Sequence, residues 1–125
     1  MYELTILAEF EAAHQLPDYP GKCSRLHGHN WKVEVTVAGH ELNHLGMVMD
    51  FKDLKAEVGK VIDNLDHYYL NDLPAFKTMN PTAENIAKYI YDSLAKQSIF
   101  QQAIKICCVQ VWESPRSAVK YCPQG

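Results

Sequence analysis

Two alternating stretches, residues 2–13 and 29–39, separated by a loop rich in proline and glycine, restrict this chain more than any other feature. In the first, Tyr2, Leu4, Ile6, Ala8, Phe10 and Ala12 share one parity, and Glu3, Thr5, Glu9 and Glu11 share the other. In the second, Trp31, Val33, Val35 and Val37 alternate with Lys32, Glu34 and Thr36. A period of two is that of a strand with one buried face. The connection holds Pro17, Asp18, Pro20 and Gly21, which interrupt regular structure. Antiparallel pairing of the two strands is therefore expected, bringing the end of the first beside the start of the second.

Histidines stand where the strands meet. His14 continues the apolar parity of the first stretch, and Cys23-Ser-Arg-Leu-His27-Gly-His29 leads into the second. Residues at i and i+2 of an extended chain point the same way, so His27 and His29 can converge, with Gly28 leaving room between them. A third imidazole from His14 would give three nitrogens and one open tetrahedral position, the pattern of catalytic zinc. Cys23 admits two readings. It closes the site as a fourth ligand, or it stands beside an open site as a metal-activated thiolate.

The remaining pattern supplies two helices and two more strands. Asp50 is a suitable N-cap before Phe51, Leu54, Val58, Val61, Ile62 and Leu65, which fall on one stripe. A second helix begins near Asn80-Pro81-Thr82 and carries Ala83, Ile86, Ala87, Ile90 and Leu94. Residues 104–112 are rich in β-branched and aromatic side chains, and Ser114-Pro115-Arg116-Ser117 turns them into a short last strand, 118–122. The order ββααββ predicts an α+β fold, a four-stranded antiparallel sheet with both helices on one face.

At 125 residues a single domain, 1–125, with an adequate core is expected. A net charge of −3 with only two arginines speaks against nucleic-acid binding, and no apolar run reaches the roughly 20 residues of a membrane span. A cytoplasmic protein with reduced cysteines is expected, Cys107, Cys108 and Cys122 being small buried thiols. His40 and His44 fall at the far end of the second strand and read as surface residues.

Three further residues invite chemistry. Asp66-His67 follows the first helix, and a carboxylate beside an imidazole raises its basicity and fixes its tautomer. Glu113 closes the apolar run Val109-Gln-Val-Trp112, and a carboxylate can accept two parallel N–H bonds from a guanidine-like edge.

Taken together, Phe10-Glu-Ala-Ala-His14, Cys23-Ser-Arg-Leu-His27-Gly-His29-Asn-Trp31, Gly46-Met-Val-Met-Asp50-Phe51, Leu65-Asp66-His67, Leu70-Asn71, Pro81-Thr82-Ala-Glu84-Asn85 and Val111-Trp-Glu113 resemble the 6-pyruvoyl-tetrahydropterin synthase superfamily. The likeness spans essentially the whole chain. The compact Cys-x-x-x-His-Gly-His spacing is similar to the branch that forms 6-carboxy-tetrahydropterin for queuosine and related deazapurines.

The resemblance implies the tunnelling fold, homo-oligomers (commonly hexamers) with sites at subunit interfaces, and zinc as the cofactor, one per subunit. It implies that His14, His27 and His29 ligate zinc, that Cys23 is a catalytic base, and that Asp66 and His67 form a second proton-transfer pair. Glu113 would hold the pterin ring and Thr82 would contact it. The implied reaction takes 7,8-dihydroneopterin triphosphate to 6-carboxy-5,6,7,8-tetrahydropterin, acetaldehyde and triphosphate. A pyruvoyl-forming synthase, which eliminates triphosphate without breaking the carbon chain, and a structural-zinc binding domain are the alternatives. The triphosphate contacts stay unassigned among Lys22, Arg25, Lys52, Lys77, Arg116 and Lys120.

Overall fold

The computed structural model describes residues 1–21 and 25–123, so Cys23, with Lys22 and Ser24, lies outside the described residues. The described chain forms β1 (Tyr2–His14), β2 (His27–Gly39), α1 (Phe51–Ile62), α2 (Ala83–Ala95), β3 (Lys105–Ser114) and β4 (Ser117–Tyr121). Neighbouring strands are antiparallel and the sheet order is β1-β2-β3-β4. Helix α1 packs on β1, and α2 packs on β3 and β4. Both helices cover one face of the expected antiparallel sheet.

The sheet forms as the alternation dictates. Val33, Val35 and Val37 of β2 and Val109 and Val111 of β3 are fully buried beneath Leu54, Ile86, Ile90 and Leu94 of the helices. The opposite parity of β1 carries the exposed Glu3, Thr5, Glu9 and Glu11. Asp50 caps α1 by accepting the Lys52 N–H at 2.8 Å, and Thr82 caps α2 by accepting the Asn85 N–H at 3.2 Å. The turn before α1 closes at Gly46, whose φ of 81° is costly for a side-chain-bearing residue.

Two helix assignments shift. Phe51 is the first residue of α1 and faces solvent instead of joining the apolar stripe. Leu65 is fully buried, yet it lies in the turns beyond Ile62, where the helix has ended. Burial here follows packing and not helical periodicity.

The cysteines depart further from expectation. Thr36 pairs with Cys108 and Val37 with Ile106, so Cys107 is an extra residue on β3, a β-bulge. The bulge resets the alternation and allows Ile106 and Val109, three positions apart, both to reach the core. Cys108 then stands across from Cys122, next to the Val109–Tyr121 pair, with Cα atoms 4.6 Å apart, and the two form a disulfide. The expectation of three buried, reduced thiols is thus corrected. Cross-strand placement, which no spacing in the sequence announces, brings the two sulfurs together. Cys107 is the free cysteine among the described residues, half-buried, its thiol pKa raised by burial and by Glu3.

The Cys108–Cys122 bond closes a loop with a sequence separation of 14. Loop-closure entropy gives such a cross-link about 3 kcal/mol. Urea unfolding should shift to lower denaturant by that amount when reductant is added to the oxidised protein, and Cys122→Ser should not respond to reductant.

Candidate functional site

The β1–β2 register places His14 directly opposite His27 and Ala12 opposite His29. All three histidines therefore share the inward parity at the open end of the hairpin. One nitrogen from each falls within 4.8 Å of the others, an arrangement able to hold a metal ion. The rings pack edge to face, with centroids 4.4 Å apart for His14 and His27 and 4.6 Å for His27 and His29. Trp31 forms the floor of the cluster, edge-on to His14 at 5.0 Å and His29 at 5.1 Å. It is itself fixed by stacking on Phe10 and by donating its indole N–H to the Ala12 carbonyl at 3.2 Å.

Backbone carbonyls set the tautomers. His14 Nδ1 lies 2.8 Å from the Pro81 oxygen and His27 Nδ1 lies 2.7 Å from the Arg25 oxygen. A carbonyl only accepts, so each Nδ1 carries the proton and each Nε2 presents a lone pair. A ring N–H given to a backbone carbonyl is the usual support of a metal-ligating histidine. The Nε2 atoms of His14 and His29 are buried with no hydrogen-bond partner. Buried, unpaired acceptors are costly, and a divalent cation would satisfy them. The three histidines thus fit zinc. Gly28 leaves its space elsewhere: nothing lies within 4 Å of a Cβ built there, but it faces outward, away from the imidazoles.

Glu113 joins this cluster, a placement that strand-end position alone did not reveal. Its Oε2 lies 3.5 Å from His14 Nε2 and 3.9 Å from His29 Nε2. The same side chain lines a cavity of about 530 Å³ with His29, Lys32 and Trp112, and a second of about 270 Å³ with Thr82, Tyr19 and Val119. Thr82 and Glu113 are therefore brought together. The Thr82 hydroxyl accepts the α2 cap bond, which leaves its proton available for donation.

Asp66 and His67 lie on the other side of β1. Asp66 Oδ1 accepts the Glu11 N–H at 2.9 Å and stands 2.9 Å from His67 Nδ1. The Glu11 carboxylate lies 3.4 Å from His67 Nε2, and the His67 N–H donates to the Glu11 carbonyl at 2.6 Å. These bonds hold His67 at a φ of 63°, a left-handed conformation uncommon outside glycine. Glu11 has the outward parity, so its carboxylate meets His67 from the face of β1 opposite to the one that carries His14. His67 borders a cavity of about 550 Å³ with Glu11, Gly28, His29 and Asn30. Glu11, missed in the sequence, shares a parity with Glu9 and gives no other sign of its contact with His67.

Burial lowers the pKa of His14, with the neighbouring His27 and His29 adding to the effect and the Pro81 carbonyl and Glu113 opposing it. His29 is lowered chiefly by burial as well, against Glu113. Both are thereby held neutral, the form that binds metal. Among the described triphosphate candidates, Arg25, Lys52, Lys77, Arg116 and Lys120 are exposed, and Lys77 reaches Asp72 at 4.0 Å. No helix among the described residues is long and apolar enough to cross a membrane.

The family model for 6-pyruvoyl tetrahydropterin synthase matches residues 3–124. The chain is similar to the 6-carboxy-5,6,7,8-tetrahydropterin synthase of Synechocystis sp., with 44% identity over 117 residues, 90% of this chain and 86% of that protein. It is 38% identical to the Bacillus subtilis protein of the same name over 130 residues, 98% of this chain and 86% of that one. Among solved structures, Caenorhabditis elegans 6-pyruvoyl tetrahydropterin synthase matches with a TM-score of 0.86 and 30% identity, covering 97% of this chain and 94% of that one.

The depressed basicity of His14 and His29 fixes the sign of a pH effect on the metal-free protein. Below the ordinary histidine value of 6.5 the unfolded chain takes up protons that the folded chain resists. Stability should therefore fall as pH drops through 6.5 towards the lowered folded values. Urea midpoints of the chelator-treated protein measured either side of 6.5 check this. A midpoint that rises on acidification would contradict it.

Proposed function

The chain belongs to the 6-pyruvoyl tetrahydropterin synthase family, and from that membership we propose that it is a zinc-dependent 6-carboxy-5,6,7,8-tetrahydropterin synthase, a carbon–carbon lyase. Its substrate is 7,8-dihydroneopterin triphosphate, which with water gives 6-carboxy-tetrahydropterin, acetaldehyde and triphosphate. The product serves queuosine and related deazapurine biosynthesis in the cytoplasm. The whole chain, 1–125, acts as one catalytic domain. The observation that carries the chemistry is the convergence of His14, His27 and His29 with two unpartnered Nε2 atoms beside the Glu113 carboxylate. The choice of the carboxy-forming reaction is supported by the names of the Synechocystis and Bacillus relatives.

His14, His27 and His29 would hold the zinc through Nε2. When bound, zinc supplies a Lewis acid for the oxygens of the substrate side chain. Glu113 accepts the paired N–H groups of the 2-amino-4-oxo ring edge, and the Thr82 hydroxyl donates to the ring from the same cavity. Cys23 takes the side-chain proton as thiolate. Asp66 accepts from His67 Nδ1, leaving Nε2 to carry protons to and from the substrate, with Glu11 alongside. The ring gains the two electrons that the side chain as a whole loses on becoming a carboxylate and acetaldehyde, so no external redox partner is required.

The contact of His67 with the outward-facing Glu11 carboxylate supports an active site completed between subunits. In a homo-oligomer, with a hexamer favoured, the pair of one copy meets the histidine cluster of another. The chain's similarity to the Caenorhabditis elegans structure, named as a pyruvoyl-forming synthase, favours a second reading in which triphosphate leaves and the carbon chain stays intact.

Incubating zinc-loaded protein with 7,8-dihydroneopterin triphosphate separates the readings. Acetaldehyde and a 6-carboxy pterin by mass spectrometry are expected, whereas a pyruvoyl pterin without acetaldehyde would establish the sister reaction. Cys23→Ala should retain zinc while turnover falls by about 10²–10⁴-fold, the usual contribution of a positioned acid or base. Loss of the metal in that variant would instead make Cys23 a structural ligand.

A further inference from the structure

β1 stands at one edge of the sheet, so the N–H and C=O groups on its outer side face no neighbouring strand. Towards the end of β1 the segment that follows α1 covers this edge. The Glu11 N–H donates to Asp66 Oδ1 at 2.9 Å, and the Glu11 carbonyl accepts the His67 N–H at 2.6 Å. Two residues on, Ala13 bridges Tyr69 in parallel. Two further on, Asn71 closes the contact with a pair of bonds: its Oδ1 accepts the Gln15 N–H at 2.9 Å, and its Nδ2 donates to the Gln15 carbonyl at 2.8 Å. Glu11, Ala13 and Gln15 therefore meet residues 66–71 in step.

Leu70-Asn71 takes no part in the proposed chemistry, and its two residues hold the segment in different ways. Leu70 is fully buried and ties the segment to the core. Apolar burial is non-directional, so it sets depth but not register. A carboxamide is directional, with an acceptor and donors laid out as in a peptide group, and it matches both backbone groups of one residue in one register only. Register matters here because His67 sits at a φ of 63°. A strained backbone persists where the surrounding contacts over-determine it, and Glu11 and Gln15 supply such contacts on either side of the bend.

We propose that Asn71 is a positioning residue for the reaction, which fixes the place of the His67 imidazole by locking residues 66–71 onto the edge of β1. This rests on the reading of Asp66 and His67 as the proton-transfer pair. Asn71 itself touches no reacting atom. Without its clamp the segment shifts along the edge and His67 relaxes from its left-handed conformation. The three inward histidines keep their places, because pairing of β1 with β2 and the Pro81 carbonyl hold them independently.

Two substitutions test this. Asn71→Asp is nearly isosteric and still accepts the Gln15 N–H, but it loses the donor and sets a carboxylate against the Gln15 carbonyl. Asn71→Ala removes both bonds. In zinc-loaded protein with 7,8-dihydroneopterin triphosphate, each should lower kcat by about 10²-fold, the scale of a small misplacement, with KM and bound zinc unchanged. Amide exchange measured by mass spectrometry gives a readout independent of turnover. Peptides carrying residues 11–15 and 66–71 should exchange faster in Asn71→Asp, while those of β2 and β3 match the native protein. A native kcat in both variants overturns the role, as does a raised KM at native kcat. Loss of zinc, or faster exchange throughout the sheet, also overturns it, since Asn71 would then support the fold as a whole. His67→Ala separates the two levels of the argument. Turnover lost in His67→Ala but retained in both Asn71 variants defeats the positioning role alone. Turnover retained in His67→Ala, or absent from the native protein, defeats the reading of the pair and the positioning role together.

Discussion

The antiparallel register of β1 against β2 is the constraint on which the rest of the molecule depends. With His14 opposite His27 and Ala12 opposite His29, three imidazoles share one face at the open end of a hairpin. Side chains alternate across a strand, so a slip of one residue would turn the β1 histidine outward and expose the apolar parity of that strand. The burial of Phe10 and Ala12 on β1, and of Trp31, Val33 and Val35 on β2, resists such a slip. Core packing and site geometry are therefore enforced by the same residues.

Burial then determines what the histidines can be. His14 is completely enclosed, with Trp31 beneath it and the Pro81 carbonyl behind it, so it is held neutral and in one tautomer. Pro81 directly precedes the α2 cap residue Thr82, so the helix that covers the sheet also orients the ligand. The cost of leaving its Nε2 unpaired in such a place is the physical argument for a cation there. Glu113 supplies the negative charge next to it, from an irregularity at the end of β3.

The strands, the cap at Asp50, and the convergence of the three histidines were legible in the sequence because each follows from a local period, a local cap or a short antiparallel connection. The extra position of Cys107 and the contact of Glu113 with the histidines escaped because strand irregularities break the alternation on which that reading relies. The disulfide of Cys108 with Cys122 escaped for the same reason, since only the β3–β4 register reveals that the two are neighbours. Asp66 and His67 were recognisable as a pair, but their attachment to Glu11 on the outward side of β1 is a tertiary contact between residues far apart in the chain. Phe51 had the right period for the core and faces solvent at the first turn of its helix.

X-ray absorption at the zinc edge of the native, substrate-free protein tests the central claim, an open metal site built by three histidines, most directly. The account predicts imidazole nitrogens with an additional light-atom ligand, and no sulfur. A sulfur scatterer at about 2.3 Å would contradict it, placing Cys23 on the metal and making the centre a closed, structural one.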